Sequence, residues 1–214
     1  MHLSAFASAF RTPDLRKKLL FVLGMLALYR LGSVIPTPGV DYTAVQRCIS
    51  VVQENNLYSL INLFSGGALL QLSIFALGIM PYITASIILQ LLTVVIPRLE
   101  MLRKEGQAGQ ATITQYTRYL TIGLAVLQSA SILALARTPG NLFQGCSENI
   151  VPDTSASQML VMVLTMTAGT ACVMWIGELI TDRGIGNGMS ILIFTSIIAV
   201  MPQQFLAIWA SSGP

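Results

Sequence analysis

The sequence has 214 residues, of which 54% are hydrophobic and only 10% are charged, and its mean hydropathy is +0.70. Soluble domains carry about 25% charged residues, so this composition excludes an ordinary soluble domain and indicates a membrane protein. His2 is the single histidine, and Cys48, Cys146 and Cys172 lack the spacing of metal ligands. This excludes a histidine-rich metal centre, and an intramembrane protease lacks the Ser/His or paired-Asp constellation it would need within the apolar runs. We therefore expect no metal, no cofactor and no enzymatic activity.

The amino-terminal part divides into a polar segment and an apolar one. Residues 1–18 carry five charges and place Phe6 and Phe10 four positions apart, as in an amphipathic helix on a membrane surface. The apolar run Leu19–Ile35 is long enough for a first span, which Pro36 ends. A cleaved signal peptide is the competing interpretation, but no small-x-small cleavage site follows the run.

An uncharged stretch covers the 43 positions 55–97, too many for one crossing of a bilayer. Its first part is rich in asparagine, serine and glycine, whose polar groups at membrane depth need protein or an aqueous cavity around them. We therefore expect a short re-entrant helix over about Tyr58–Gln71 and a span over Ser73–Ile96. A segment that rests on the membrane surface is the alternative to the re-entrant helix.

The rest of the chain alternates polar and apolar runs. A polar loop is expected over Arg98–Gln115, and a connector over Gly177–Gly188 in which Glu178, Asp182 and Arg183 form a local ion-pair cluster. Further spans are expected over Tyr119–Ala136, Ser155–Ile176 and Met189–Trp209. The predicted fold class is an all-α membrane protein with five transmembrane helices and one re-entrant helix.

The twelve Lys and Arg residues decide whether the 55–97 stretch crosses once or twice. A single crossing puts nine of them on one side and three on the other, whereas a hairpin gives five and seven. Cytoplasmic loops carry the excess of basic residues, so the single crossing is preferred and the amino terminus is cytoplasmic. Cys48 and Cys146 then lie in outer loops, where an oxidising compartment permits a disulfide. Sequence alone leaves open whether these two are bridged.

Several motifs in the chain are long and occur in a fixed order. They occupy 62–69 (Asn-Leu-Phe-Ser-Gly-Gly-Ala-Leu), 73–83, 90–95, 104–106, 115–119 (Gln-Tyr-Thr-Arg-Tyr) and 174–190. Together they resemble the SecY family, the central subunits of the Sec protein-conducting channel. The resemblance implies a channel of ten helices in two inverted halves. Residues 19–214 correspond to the amino-terminal half, after the cytoplasmic segment 1–18.

The resemblance also implies roles for individual residues. The family's plug falls on residues 59–70, which include Leu60, Ile61, Asn62, Leu63, Phe64, Ser65, Gly66 and Gly67. Four of the six pore-ring positions fall on Ile79, Ile83, Met189 and Ile193. The lateral gate should include Thr84, Ile87 and Gln128. The positions that would dock cytoplasmic partners are Arg98, Arg103, Lys104 and Arg118. Without the resemblance, the four ring residues would be read as ordinary packing or lipid-facing positions.

The implied function is passive conduction of unfolded secretory polypeptides across the bilayer and release of membrane-protein helices into it. The implied partners are SecE, SecG, the SecA motor ATPase or the ribosome, signal-bearing polypeptides, lipid and the carboxy-terminal half of the channel. The implied location is the bacterial inner membrane or the thylakoid membrane. An ion-coupled secondary transporter is the alternative, but it needs an ionisable residue at mid-membrane. None occurs in 73–97, 119–136, 154–177 or 184–214.

Overall fold

The computed structural model describes residues 12–52, 68, 72–138 and 148–211. The helices of this part are α1 (Pro13–Val34), α2 (Tyr42–Val52), α3 (Met80–Val95), α4 (Pro97–Lys104), α5 (Gln107–Ala136), α6 (Ala156–Arg183) and α7 (Gly188–Ser211). The described residues contain no strand, only an isolated bridge between Pro36 and Ser73. The expected all-α class is therefore confirmed.

Two helices in the described part, α5 and α6, are long and apolar enough to cross a membrane. A third span is available if α3 and α4, which meet at 101°, are counted together. Helix α1 carries more charges than these helices do, among them Lys17, Lys18 and Arg30. The apolar part of α7, Gly188–Pro202, is shorter than a typical span. The five-span arrangement and the boundary at residue 18 stay predictions.

The helix expected from Ser73 begins only at Met80. Residues 72–79 form consecutive turns, in which the amide of Ala76 donates to the Ser73 carbonyl (2.9 Å) and the amide of Gly78 to the Phe75 carbonyl (2.8 Å). Gly78 has a φ of +54°, which glycine adopts without steric cost. Pro81 then lies in the first turn of α3, where its missing amide proton costs nothing. This turn segment is a buried, irregular entry to a 16-residue helix.

The polar loop expected over Arg98–Gln115 is wrong. Residues 97–104 form α4, and α5 begins two residues later, at Gln107. Gly106, with a φ of +74°, allows the reversal between them. Residues 107–115 are mostly glutamine, alanine and threonine and include no proline. The helix therefore extends from the apolar run into this polar sequence. The expected connector over Gly177–Gly188 is wrong for the same reason, since α6 continues to Arg183.

Helix α2 was not expected from the sequence. Its start is capped by Asp41, whose Oδ1 accepts hydrogen bonds from the Thr43 hydroxyl (2.7 Å) and from the amides of Thr43 (2.9 Å) and Ala44 (3.3 Å). These bonds, that from the Thr43 hydroxyl first, hold the pKa of Asp41 below its usual value. The ionised Asp41 side chain therefore stabilises the start of α2 fully at pH values above the ordinary carboxyl pKa. This stabilisation is lost as the pH falls through the lowered pKa of Asp41.

The cysteines differ in state. Cys48 of α2 is fully buried and disulfide-bonded, whereas Cys172 of α6 is an exposed free thiol. Cys146 lies outside the described residues. The buried side of α2, with Val45 beside Cys48, joins a core cluster that also holds Leu133 of α5 and Met162 of α6. This core cluster anchors the turn segment 72–79 through Leu72, Ala76 and Leu77.

A second core cluster lies between α1, α6, α7 and the turn segment. Its buried members are Val22, Tyr29, Phe75, Ile79, Val173, Ile176, Ile180 and Leu192. This second cluster forms the support for the candidate site.

Candidate functional site

An open cleft of about 510 Å³ lies between α3, α5, α6 and α7. Both apolar and polar side chains line it. The apolar lining includes Ile83, Ile87, Met189 and Ile193. The polar lining includes Gln90, Thr114, Arg118, Glu178, Thr181, Asp182, Asn187 and Ser190. A cleft of this kind offers an unspecific apolar surface beside charged groups.

The four residues expected at the pore ring are brought together by the fold. Ile79, at the end of the turn segment, is a buried member of the second cluster, being 4% exposed. Ile83, Met189 and Ile193 are partly buried and pack against the same cluster, and these three also line the cleft. The two pairs are each four residues apart, so each pair projects from one side of its chain segment. Their role in closing a pore stays a prediction.

The start of α7 is held close to α6, and this places Met189. A Cβ at Gly177 would collide with the Met189 sulfur, and one at Gly188 would collide with the Gly177 carbonyl oxygen. At Gly188 only glycine permits this approach, because the colliding atom belongs to the backbone. The Thr181 hydroxyl accepts the amide of Gly188 (2.9 Å), and Oδ1 of Asn187 accepts the amide of Met189 (3.0 Å). These hydrogen bonds satisfy amides at the first turn of α7.

The three residues expected at the lateral gate occupy different environments. Ile87 is 52% exposed and lines the cleft. Thr84 is half-buried, and its hydroxyl donates to the Met80 carbonyl one turn earlier (2.9 Å). Gln128 is half-buried on α5 and is not part of the cleft lining. Their assignment to a gate stays a prediction.

The basic residues expected to dock partners fall into two groups. Arg98, Arg103 and Lys104 are exposed on α4, where Lys104 pairs with Glu100 at 2.6 Å. The hydrogen bond from Lys104 lowers the pKa of Glu100. Arg118 is apart from this group, in the cleft lining.

Arg118 forms a two-pronged ion pair that sequence reasoning missed. Its Nε lies 2.8 Å from Oε1 of Glu178 and its Nη2 lies 2.9 Å from Oε2, while Nη1 donates to Gln115 at 3.1 Å. The expected local cluster of Glu178, Asp182 and Arg183 is therefore wrong, since Glu178 pairs with Arg118 and no ion pair joins any two of the three in the part of the chain that the structure describes. Glu178 faces α5, because α6 stays helical through this region and turns that side chain toward the neighbouring helix. No local spacing signals a pair that joins positions 60 residues apart.

The predicted plug residues Leu60, Ile61, Asn62, Leu63, Phe64, Ser65, Gly66 and Gly67 lie outside the described residues. Of the segment 59–70, the structure describes only Ala68. Ala68 is fully buried, and its carbonyl accepts the amide of Ser73 at 3.1 Å.

Long apolar helices, and an apolar cluster beside an open cleft, define an integral membrane protein of the helical class. The family model of SecY matches residues 73–212. Proteins named protein translocase subunit SecY are 67% identical in Streptomyces scabiei, 65% in Streptomyces coelicolor and 61% in Mycobacterium tuberculosis. These alignments cover 97% of this chain for the two Streptomyces proteins and 99% for the mycobacterial one. The chain belongs to the SecY family.

The chain spans about half the length of the curated relatives it matches, 47% of the Streptomyces proteins and 48% of the mycobacterial one. The matched part is their amino-terminal half.

Proposed function

We propose that this chain is the amino-terminal half of a Sec protein-conducting channel. In this proposal α1, α3, α5, α6 and α7 are the five transmembrane helices, and a carboxy-terminal half of five more completes the pore. The alignment of nearly the whole chain with half of each relative supports this. So does the nine-to-three distribution of basic residues, which this topology produces with a cytoplasmic amino terminus.

The channel conducts unfolded secretory polypeptides passively and releases membrane-protein helices into lipid. The observation that carries this is the convergence of Ile79, Ile83, Met189 and Ile193 on one cluster beside the open cleft. An apolar constriction closes to ions by dewetting, and it adapts to side chains of any sequence because it makes no directional bonds. Such a conduit performs no covalent chemistry, so the chain is not an enzyme.

The re-entrant segment 59–70 is the plug of this channel. It contains Ser59, Asn62, Ser65 and the pair Gly66–Gly67, whose polar side chains and bare backbone suit a protein vestibule better than lipid. Ala68 within the segment and Ser73 three residues after it are both fully buried, which supports this assignment.

The partners in this proposal are SecE, SecG, signal-bearing polypeptides and a motor, either SecA or the ribosome. The exposed basic residues of α4 supply the docking charge, and Arg118 is reassigned from docking to the ion pair with Glu178. The membrane is the bacterial inner membrane, which fits the bacterial source of the relatives, with thylakoids as the other possibility. These relatives are named as translocase subunits, and the transporter alternative gains no support from them.

The test uses the complete channel, defined as this chain joined to a carboxy-terminal half from a close relative. Replacing Ile83 and Ile193 together by serine should raise the ion conductance of the resting channel in lipid bilayers, since a polar constriction stays wet. Deleting residues 59–70 should also raise it while most export is retained. Ile198→Ser is the matched control, because Ile198 lies on α7 outside the cleft lining and is 49% exposed. Unchanged conductance in both variants would contradict the ring and plug assignments.

A further inference from the structure

Tyr29 is a buried tyrosine of α1. It is 2% exposed, and its hydroxyl lies 3.0 Å from the hydroxyl of Ser196 on α7. Ser196 is equally buried, at 2% exposed. The pair joins α1 to α7 across 167 positions of sequence.

The direction of this hydrogen bond follows from the neighbours of Ser196. Its hydroxyl donates to the carbonyl of Leu192, one turn earlier, at 2.9 Å. A serine hydroxyl has one proton, so the oxygen that gives its proton to Leu192 can only accept from Tyr29. Tyr29 is therefore the donor, and the Ser196 oxygen is the acceptor. This arrangement fixes the orientation of the tyrosine as well as its depth.

The ring of Tyr29 has a second contact. It stacks on Phe75 of the turn segment, with ring centroids 5.9 Å apart and an interplanar angle of 10°. Phe75 in turn covers Gly32 of α1 so closely that a Cβ at Gly32 would collide with the ring. One side chain thus holds the turn segment through its ring and α7 through its hydroxyl.

Both of these elements carry predicted ring residues a short distance away. Ile79 follows Phe75 by four positions, and Ile193 precedes Ser196 by three. Tyr29, Phe75 and Ile79 are buried members of the second cluster, against which Ile193 packs. Residues three or four apart on a helix share a side of it. A shift of α7 at Ser196 is therefore transmitted to Ile193.

We propose that Tyr29 is a positioning residue for the constriction. Its hydrogen bond to Ser196 holds Ile193 on α7, and its ring holds the turn segment that ends at Ile79, so that the resting pore closes tightly. This inference rests on the proposed channel function. Tyr29 touches no translocating chain in this account and acts only through the residues it holds.

Tyr29→Phe in the complete channel removes the hydroxyl and keeps the stacked ring. We expect about a fivefold rise in resting ion conductance, the factor that corresponds to loss of one interhelical hydrogen bond in a membrane protein. Ser196→Ala should give the same rise, and the double variant should add little to either, because both changes remove one interaction. Thr195→Val is the matched control, since the Thr195 hydroxyl donates only within α7, to the Ile191 carbonyl at 2.8 Å.

A merely structural role would lower the melting temperature of the channel and leave the conductance per folded channel unchanged. That result, or additive effects of the two single changes, overturns the inference. The double variant Ile83→Ser with Ile193→Ser distinguishes failure of the proposed constriction from failure of the role given to Tyr29. If that variant leaks and Tyr29→Phe does not, only the role of Tyr29 falls. If neither leaks, the constriction and the role of Tyr29 both fall.

Discussion

At the scale of single residues, the ion pair of Arg118 and Glu178 changes how the basic side chains are interpreted. The two side chains are 41% and 19% exposed, so the pair is more shielded than the Glu100–Lys104 pair, whose side chains are 50% and 73% exposed. Two parallel hydrogen bonds to one carboxylate fix the geometry of a guanidinium better than a single contact does. Arg118 therefore ties α5 to α6 beside the cleft.

We predict that Arg118→Ala lowers the free energy of unfolding by about 1–2 kcal/mol, because Glu178 loses its partner in a partly desolvated position. The double exchange Arg118→Glu with Glu178→Arg should recover most of the loss. Thermal melting of the purified complete channel measures both effects. Lys104→Ala is the control and should change melting little, as expected for an exposed pair. Equal losses in the control and in Arg118→Ala would contradict a special role for this pair.

A second prediction at this scale concerns Cys48. Cys48 is disulfide-bonded and Cys172 is free, so we predict that Cys146, the third cysteine of the sequence, is the partner of Cys48. A protease site can be inserted after Gly106, which has open space around it. The two cleaved fragments should stay together on a gel without reductant and separate with it. Cys146→Ser should separate them in both conditions, and Cys172→Ser should change nothing.

At the scale of elements, α4 is a short basic helix where the sequence suggests a loop. A helix presents Arg98 and Arg103 in a fixed arrangement, which a flexible loop does not. Met101 is 65% exposed on the same helix, so the surface is apolar as well as basic. We expect this helix to be the docking element for a cytoplasmic partner.

Reversal of two charges tests this expectation. Arg98→Glu with Arg103→Glu should reduce motor-driven export by about 3- to 10-fold, because like charges slow encounter with an acidic partner surface. The loss should be smaller at high salt, which screens exposed charges. Arg137→Glu, at the opposite end of α5 and also exposed, is the matched control. Export that is equally sensitive to both changes would argue against docking through α4.

At the scale of the whole molecule, the residues predicted for the pore ring are not all enclosed by this chain. Ile83, Met189 and Ile193 line a cleft that is open, and Ile87 beside them is half exposed. An apolar surface of this kind in a membrane protein needs lipid or protein against it. In the proposed channel the carboxy-terminal half supplies that cover and the two missing ring positions.

We predict that residues 1–214 alone insert into the membrane but form no sealed pore. Co-expression with a five-helix carboxy-terminal half should restore export of a presecretory protein in a strain depleted of its own channel subunit. Either half alone should fail to restore it. Export by the purified 214-residue chain, reconstituted with a motor and no second half, would contradict the half-channel proposal.

The sequence by itself determined the class of the protein and most of its helices. The long apolar runs predicted α5, α6 and α7. The family motifs singled out Ile83, Met189 and Ile193, which line the cleft, and Ile79, which is buried in the second cluster. Their role in a pore ring stays a prediction. These properties depend on local composition and on motifs of consecutive residues, which can be read along the chain. Local reasoning also went wrong at α4 and at the end of α6, because polar helix formers in those segments resemble loop sequence.

Only the tertiary structure decided which distant side chains become partners. Tyr29 hydrogen-bonds to Ser196, and Arg118 pairs with Glu178, because of the rotation and depth at which their helices pack. Gly177 and Gly188 set the approach of α6 to α7, and this distance is a property of two helices together. The same holds for the turn segment before α3, whose buried course depends on the helices around it. Hydropathy places a residue in the membrane, but a directional bond needs two helices in register, and the packing of the whole chain sets that register.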